Sequence, residues 1–171
     1  MNKSNQNITF KGSPLKVSGS ELKEGAKLPA FKLTTPDMQD LESSAFQGKK
    51  LVVCSVPSLD TPVCATETKR FNEEAAKLSD DVEILIVSRD LPFAQSRWCG
   101  SEGIESVKTA SDYKYRTFGS LFGVEAEEMA LLARAVFVFD REGILRHVEY
   151  VGEIAAEPQY DQALKALKEL D

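Results

Sequence analysis

Three short apolar runs organise the middle and end of the chain. Leu51-Val52-Val53-Cys54-Ser55-Val56 and Val82-Glu83-Ile84-Leu85-Ile86-Val87 are mostly aliphatic and bounded by polar or turn residues. That pattern predicts strands buried on both faces, as in a parallel sheet. Between them, Thr61-Pro62 opens a helix, because threonine is a good N-cap and proline suits the first helical position. Cys64, Thr68, Phe71, Ala75 and Leu78 recur every three or four positions and so share one face. Glu67, Glu73, Glu74, Lys69, Arg70 and Lys77 are assigned to a charged side, and Ser79-Asp80-Asp81 closes the helix. Strand, helix, strand at this spacing is a right-handed crossover unit. The third run, Ala135-Val136-Phe137-Val138-Phe139, is followed by a turn at Asp140-Arg141-Glu142-Gly143 and a hairpin partner from Ile144 to Val151. Pro158 to Leu170 reads as a closing helix with Tyr160, Leu164, Leu167 and Leu170 on its apolar side. At the other end, Ile8-Thr9-Phe10 and Leu15-Lys16-Val17 flank Gly12 and Pro14 and predict a small hairpin, and Phe31 to Leu33 a short strand.

A βαβ half followed by a ββα half is the thioredoxin-like arrangement. The expected fold is therefore α/β, a central sheet flanked by helices, with an N-terminal hairpin extension over residues 1–18. At 171 residues the chain reads as one domain, 1–171. The hydrophobic fraction of 42% and charged fraction of 28% exclude collagen-like, coiled-coil and disordered classes. With 27 acids and 21 Lys plus Arg the net charge is −6, and no basic run appears, so no nucleic-acid partner is expected. No apolar run nears the ~20 residues that span a bilayer. The polar start Met1-Asn2-Lys3-Ser4-Asn5-Gln6-Asn7 lacks a secretory apolar region, and a cytoplasmic location is expected.

The candidate chemistry lies in Cys54, Cys64, Cys99 and the lone His147. Three cysteines without a CxxC pair argue against both a secreted disulfide framework and a zinc site. If Thr61 caps the helix, Cys64 lies in its first turn. Free N–H groups and the helix dipole there favour an anion, and the thiolate is the reactive form of cysteine. The Thr61 hydroxyl could hold a substrate oxygen on the same turn. Because Cys64 shares the apolar face, its sulfur should sit in a recess. Position alone leaves open a second reading, a small buried cysteine that completes the helix face.

The pattern Pro-x-x-x-Thr-x-x-Cys after a buried strand resembles the active-site motif of peroxiredoxins, and fuller stretches resemble the bacterial thiol peroxidase subfamily. Ser58-Leu59-Asp60-Thr61-Pro62-Val63-Cys64 is similar to its peroxidatic loop. Asp90-Leu91-Pro92-Phe93-Ala94-Gln95-Ser96-Arg97-Trp98-Cys99-Gly100 is similar to its resolving segment. Leu132-Ala133-Arg134-Ala135-Val136 is similar to the strand carrying its active-site arginine. The resemblance spans about Ile8 to Leu170. It implies a peroxidatic Cys64, a resolving Cys99, Thr61 and Arg134 as the residues that orient peroxide, and Pro57 as the pocket shield. It further implies reduction of hydrogen peroxide and organic hydroperoxides through a Cys64–Cys99 disulfide, with thioredoxin as reductant, a homodimer, and no cofactor or metal. Cys54 matches no functional position and reads as structural. His147, on the opposite side of its strand from Val148 and Tyr150, reads as facing solvent, and Glu125 to Glu128 as a solvated loop.

Other readings are weaker. A thioredoxin-like disulfide oxidoreductase needs CxxC at the helix start, where Thr61 takes the first cysteine's place. It also needs a proline before the third core strand, where this chain has Leu132-Ala133-Arg134. A non-catalytic redox sensor could use the same disulfide. A cysteine hydrolase needs a partner base, and only His147 exists.

Overall fold

The three apolar runs form the middle of a seven-stranded sheet in a computed structural model that describes residues 7–170. The reading of the polar start therefore falls, for residues 1–6, outside the described residues. In chain order the strands are β1 (Thr9–Phe10), β2 (Ser13–Pro14), β3 (Val17–Ser18), β4 (Lys32–Thr34), β5 (Asp40–Glu42), β6 (Lys50–Ser55), β7 (Val82–Ser88), β8 (Lys108–Ser111), β9 (Glu125–Ala126), β10 (Leu131–Leu132), β11 (Ala135–Phe139) and β12 (Leu145–Tyr150). The helices are α1 (Pro62–Ala75), α2 (Pro92–Glu102), α3 (Phe118–Phe122) and α4 (Tyr160–Lys168). The large sheet runs β12-β11-β6-β7-β8-β4-β5. β6 pairs parallel with β7, from Lys50↔Val82 to Ser55↔Val87, and antiparallel with β11, from Ala135↔Ser55 to Phe139↔Leu51.

Alternation along these strands feeds two apolar layers. Leu51, Val53, Leu85, Val87, Phe137 and Phe139 meet Phe31, Phe118 and Phe122 on one face. Val52, Cys54, Ile84, Ile86, Val136 and Val138 meet Cys64 and Phe71 of α1, Trp98 of α2, and Ala163 and Leu167 of α4 on the other. Burial on both faces explains why the runs lack a polar side.

The hairpin differs in register from the expectation. Lys11 and Gly12 both adopt left-handed φ, 49° and 82°, which makes a two-residue turn of the kind that matches strand twist. β1 therefore pairs with Ser13–Pro14 rather than Leu15–Val17. Val17–Ser18 is released to pair with β9. The stretch around Cys99 folds as a helix, Pro92–Glu102, that apolar periodicity did not reveal. Its buried residues are Pro92, Gln95 and Trp98, so a polar amide interrupts the stripe. Gln95 is tolerated inside because its Nε2 donates to Ser88 Oγ and the Ala110 carbonyl, both at 3.0 Å. α2 thus converts β7 and β8 into a second βαβ unit.

Two surface readings are also corrected. His147 pairs with Val138 across β11 and β12, on the face that α4 covers, and its Nε2 is buried rather than in solvent. Glu125 is part of β9 and forms an ion pair with Arg89, and Glu127 pairs with Lys16, so the acid run is not a free loop.

Candidate active site

β6 delivers the chain to the site. The Val56 N–H extends the ladder to the Val87 carbonyl at 2.9 Å, and the buried Pro57, lacking an N–H, stops it. Ser58 to Asp60 then turn the chain into α1. Thr61 stands at the N-cap with extended backbone, φ −92° and ψ 145°, and Pro62 follows inside the first turn. The Thr61 hydroxyl does not cap the helix. It donates to the Ser58 carbonyl at 2.9 Å, and the Thr61 N–H reaches the same oxygen at 3.2 Å. The first-turn N–H groups of Val63 and Cys64 therefore keep no helical acceptor, and the positive end of α1 stays open beside the sulfur. With its proton committed to Ser58, the Thr61 oxygen is left as an acceptor.

Cys64 is fully buried at 0% exposure, in the expected recess. Its polar neighbour is Arg134, itself 1% exposed, whose Nη2 lies 3.0 Å from Cys64 Sγ. The guanidinium is held on its other sides as well: Nε donates to the Ile154 carbonyl at 3.0 Å, and Nη1 donates to the Glu67 carboxylate. Ser55 Oγ fixes the approach to β11 by donating to the Ala133 carbonyl at 2.7 Å. Burial works against the Arg134 charge, yet the neighbouring Glu67 carboxylate and Cys64 sulfur outweigh it and hold the proton more firmly than usual.

Glu67 is the site residue that the sequence reading missed. It was assigned to the solvent side of α1, but it is fully buried and bound to Arg134. The available signal was its spacing, since residues three apart on a helix are neighbours and Glu67 follows Cys64 by three. Burial, opposed by Arg134, pushes its carboxyl up to about 7.

Cys99 is elsewhere. It is half-buried on α2, with Sγ 3.8 Å from Thr109 Oγ1 of β8. Burial raises its thiol pKa. It opens on a groove of about 360 Å³ lined also by Thr35, Leu41, Ile104 and Val107. The partners of the two sulfurs stand on β8 and at the start of β11, three strand steps apart and so about 14 Å. Both thiols are free, as is Cys54, which lies inside β6 with its pKa driven well up by burial. Among the described residues no group of His, Cys, Asp or Glu could hold a metal ion, and no helix is long and apolar enough to cross a membrane.

A fixed guanidinium and an open helix N-terminus beside a buried thiol form an arrangement suited to a cysteine nucleophile. It can also stabilise an oxyanion that leaves from an atom under attack. Comparison with known proteins agrees with this chemistry. The family profile described as Redoxin matches residues 23–164. The thiol peroxidase of Bacillus subtilis is 45% identical over 95% of this chain and 97% of its own length. That of Streptococcus pneumoniae is 47% identical over 95% and 99%. Among solved structures, a peroxiredoxin-like protein from Aquifex aeolicus superposes with a TM-score of 0.91 at 41% identity, over the full length of both chains. The thiol peroxidase from Chromobacterium violaceum superposes at 0.86 over 97% of each chain, at 17% identity, a likeness of fold.

Proposed function

The chain belongs to the redoxin family, and on that premise we propose that its thiol-dependent peroxidase activity runs through Cys64. The carrying observation is the buried 3.0 Å contact between Arg134 Nη2 and Cys64 Sγ at the open start of α1. The Cys64 thiolate attacks the terminal oxygen of a hydroperoxide. The S–O bond forms as the O–O bond breaks, and the departing RO⁻ takes a proton and leaves as ROH. Thr61, whose hydroxyl proton is engaged by Ser58, accepts the hydrogen bond of the incoming peroxide. Arg134 and the free first-turn N–H groups donate to the oxygen on which charge develops. Pro57, buried at the end of β6, keeps water from the sulfur.

The product is a sulfenic acid on Cys64. The Cys99 thiolate then attacks that sulfur, hydroxide leaves as water, and an intrachain Cys64–Cys99 disulfide forms. A dithiol protein of the thioredoxin type restores both thiols by exchange, becoming a disulfide itself. Hydrogen peroxide and organic hydroperoxides share the reacting O–O group and are the proposed substrates. The working form is proposed as a cytoplasmic homodimer of single-domain chains.

Turnover of peroxide with a dithiol reductant tests the assignment. Cys64→Ser should abolish it, while Cys54→Ser should retain nearly all of it. Comparable turnover in the Cys64 variant would place the chemistry at another residue.

A further inference from the structure

One carboxylate outside the reacting groups holds the loop before Cys64 and reaches, through Ser88, the helix that carries Cys99. Asp90 sits half-buried between β7 and α2. Its Oδ1 accepts from Ser58 Oγ at 2.7 Å, and its Oδ2 accepts from the Leu59 N–H at 2.8 Å and from Ser88 Oγ at 2.7 Å. Ser58 and Leu59 form the loop that leads into α1 and Cys64. The Ser58 carbonyl is also the acceptor that orients Thr61. On the other side, Ser88 Oγ accepts from Gln95 Nε2 inside α2, and the Asp90 carbonyl accepts from Ser111 Oγ of β8. Asp90 is two residues from the start of the helix that carries Cys99. Two further ties join these segments, Arg97 to Asp60 at 4.0 Å and Lys69 to Glu102 at 2.7 Å, both between exposed side chains, where ion pairs hold little.

The two sulfurs are unbonded, Cys64 on Arg134 and Cys99 on Thr109, and stand on different helices, whereas a disulfide needs Cα atoms within about 4.4–6.8 Å. On the proposed reaction they are brought together by opening the first turn of α1, α2, or both. α2 carries Gly100 in its interior and stops at Gly103, which is left-handed at φ 68°, and an interior glycine weakens a helix.

We propose that Asp90 is a positioning residue that latches both segments in the reduced fold. It thereby sets how fast the enzyme passes from peroxide reduction to disulfide formation. Two of the three hydrogen bonds on this carboxylate come from the loop before α1 and the third from Ser88, whose oxygen in turn takes Gln95 of α2, so opening the loop strips the carboxylate directly and opening α2 frees Ser88 and loosens it in turn. While the latch is closed, Cys64 and Thr61 stay aligned for peroxide. A sulfenic acid held too long behind it is open to a second peroxide and over-oxidation to sulfinic acid.

The inference rests on Cys99 as the resolving thiol. Its test is a stopped-flow single turnover followed by Trp98, which is buried beside Cys99 in the layer that includes Cys64. Asp90→Asn keeps the shape but removes an acceptor of charge-assisted hydrogen bonds, a loss on the scale of about tenfold in an equilibrium. The peroxide-independent phase should quicken about tenfold, and the peroxide concentration for half over-oxidation should rise by the same factor. The peroxide-dependent phase should change less than either. Ser58→Ala, which cuts the loop side alone, should shift both quantities the same way by less, and serves if Asp90→Asn fails to fold. Leu164→Ala, a destabilising change in α4, should leave the ratio of the two phases at the wild-type value. Equal slowing of both phases, or a ratio that follows melting temperature across all variants, would overturn the latch. If wild-type protein forms no Cys64–Cys99 disulfide, the resolving assignment fails instead.

Discussion

Arg134 reaches three acceptors in three directions, namely the Cys64 sulfur, the Glu67 carboxylate and the Ile154 carbonyl. Lysine has one charged end and cannot reproduce that planar fork. Arg134→Lys should therefore slow sulfenic acid formation by roughly a hundredfold or more, the usual cost of one transition-state donor. A rapid-mix measurement of the second-order rate with peroxide checks this, and an unchanged rate would remove Arg134 from the site. Glu67 gives a second prediction, in stability. Its folded pKa of about 7 lies above the usual value of 4.5, so between those pH values the folded chain keeps a proton that the unfolded chain has released. Stability from this group is full below about 4.5 and is lost as pH rises through about 7. Raising pH from 5 to 8 should lower the melting temperature of the wild type more than that of Glu67→Gln, and parallel profiles would contradict the assignment. At this scale the placing of Cys64 and Thr61 at a helix start was legible in Thr61-Pro62 and the apolar spacing, whereas Pro57 and Arg134 were picked out only through the family resemblance. Glu67 was not, because an acid on a charged-looking helix reads as solvent-facing until the buried arginine beside it is known.

The elements show the same division. β6, β7 and β11 were legible because burial on both faces writes continuous apolar runs. α2 was not, since Gln95 breaks its stripe and its amide nitrogen is satisfied by Ser88 and Ala110, contacts that only the folded sheet creates. The N-terminal hairpin was legible as a hairpin but not in register, because Lys11 takes a left-handed conformation that its type does not advertise. The structure also gives that hairpin a task. Thr9 pairs with the 152–154 segment, through its N–H to the Gly152 carbonyl at 2.8 Å and its carbonyl to the Ile154 N–H at 2.9 Å. Ile154 is the residue whose carbonyl holds Arg134 Nε. Glu153 locks the arrangement by accepting from Thr9 Oγ1, Lys11 N–H and Gly12 N–H at 2.6, 2.8 and 3.1 Å. These bonds, the Thr9 hydroxyl foremost, hold its carboxyl down to about 2. The lock is therefore present above about 4.5, is lost only as pH falls through about 2, and should leave no mark on activity between pH 5 and 8. Glu153→Ala should slow the peroxide step by up to about tenfold through a looser Arg134, since small misplacements are costly. An unchanged rate would confine the hairpin to a structural role.

Across the whole molecule, the sheet order decides what the sequence could not. A separation of 35 positions between Cys64 and Cys99 says nothing about distance. The order β11-β6-β7-β8 places their partners, Arg134 and Thr109, at opposite sides of the central strands. The fold thus seals Cys64 against Arg134 and carries Cys99 on a separate helix beside Thr109. That separation makes the identity of the linked peptides the most direct test of the account. Protein treated with one equivalent of hydroperoxide, alkylated and digested should yield in mass spectrometry a Cys64–Cys99 disulfide peptide, with Cys54 alkylated as a free thiol. Cys99→Ser under the same treatment should carry the oxidation on Cys64 alone. A bridge containing Cys54, or Cys64 recovered unmodified while peroxide is consumed, would contradict the central claim.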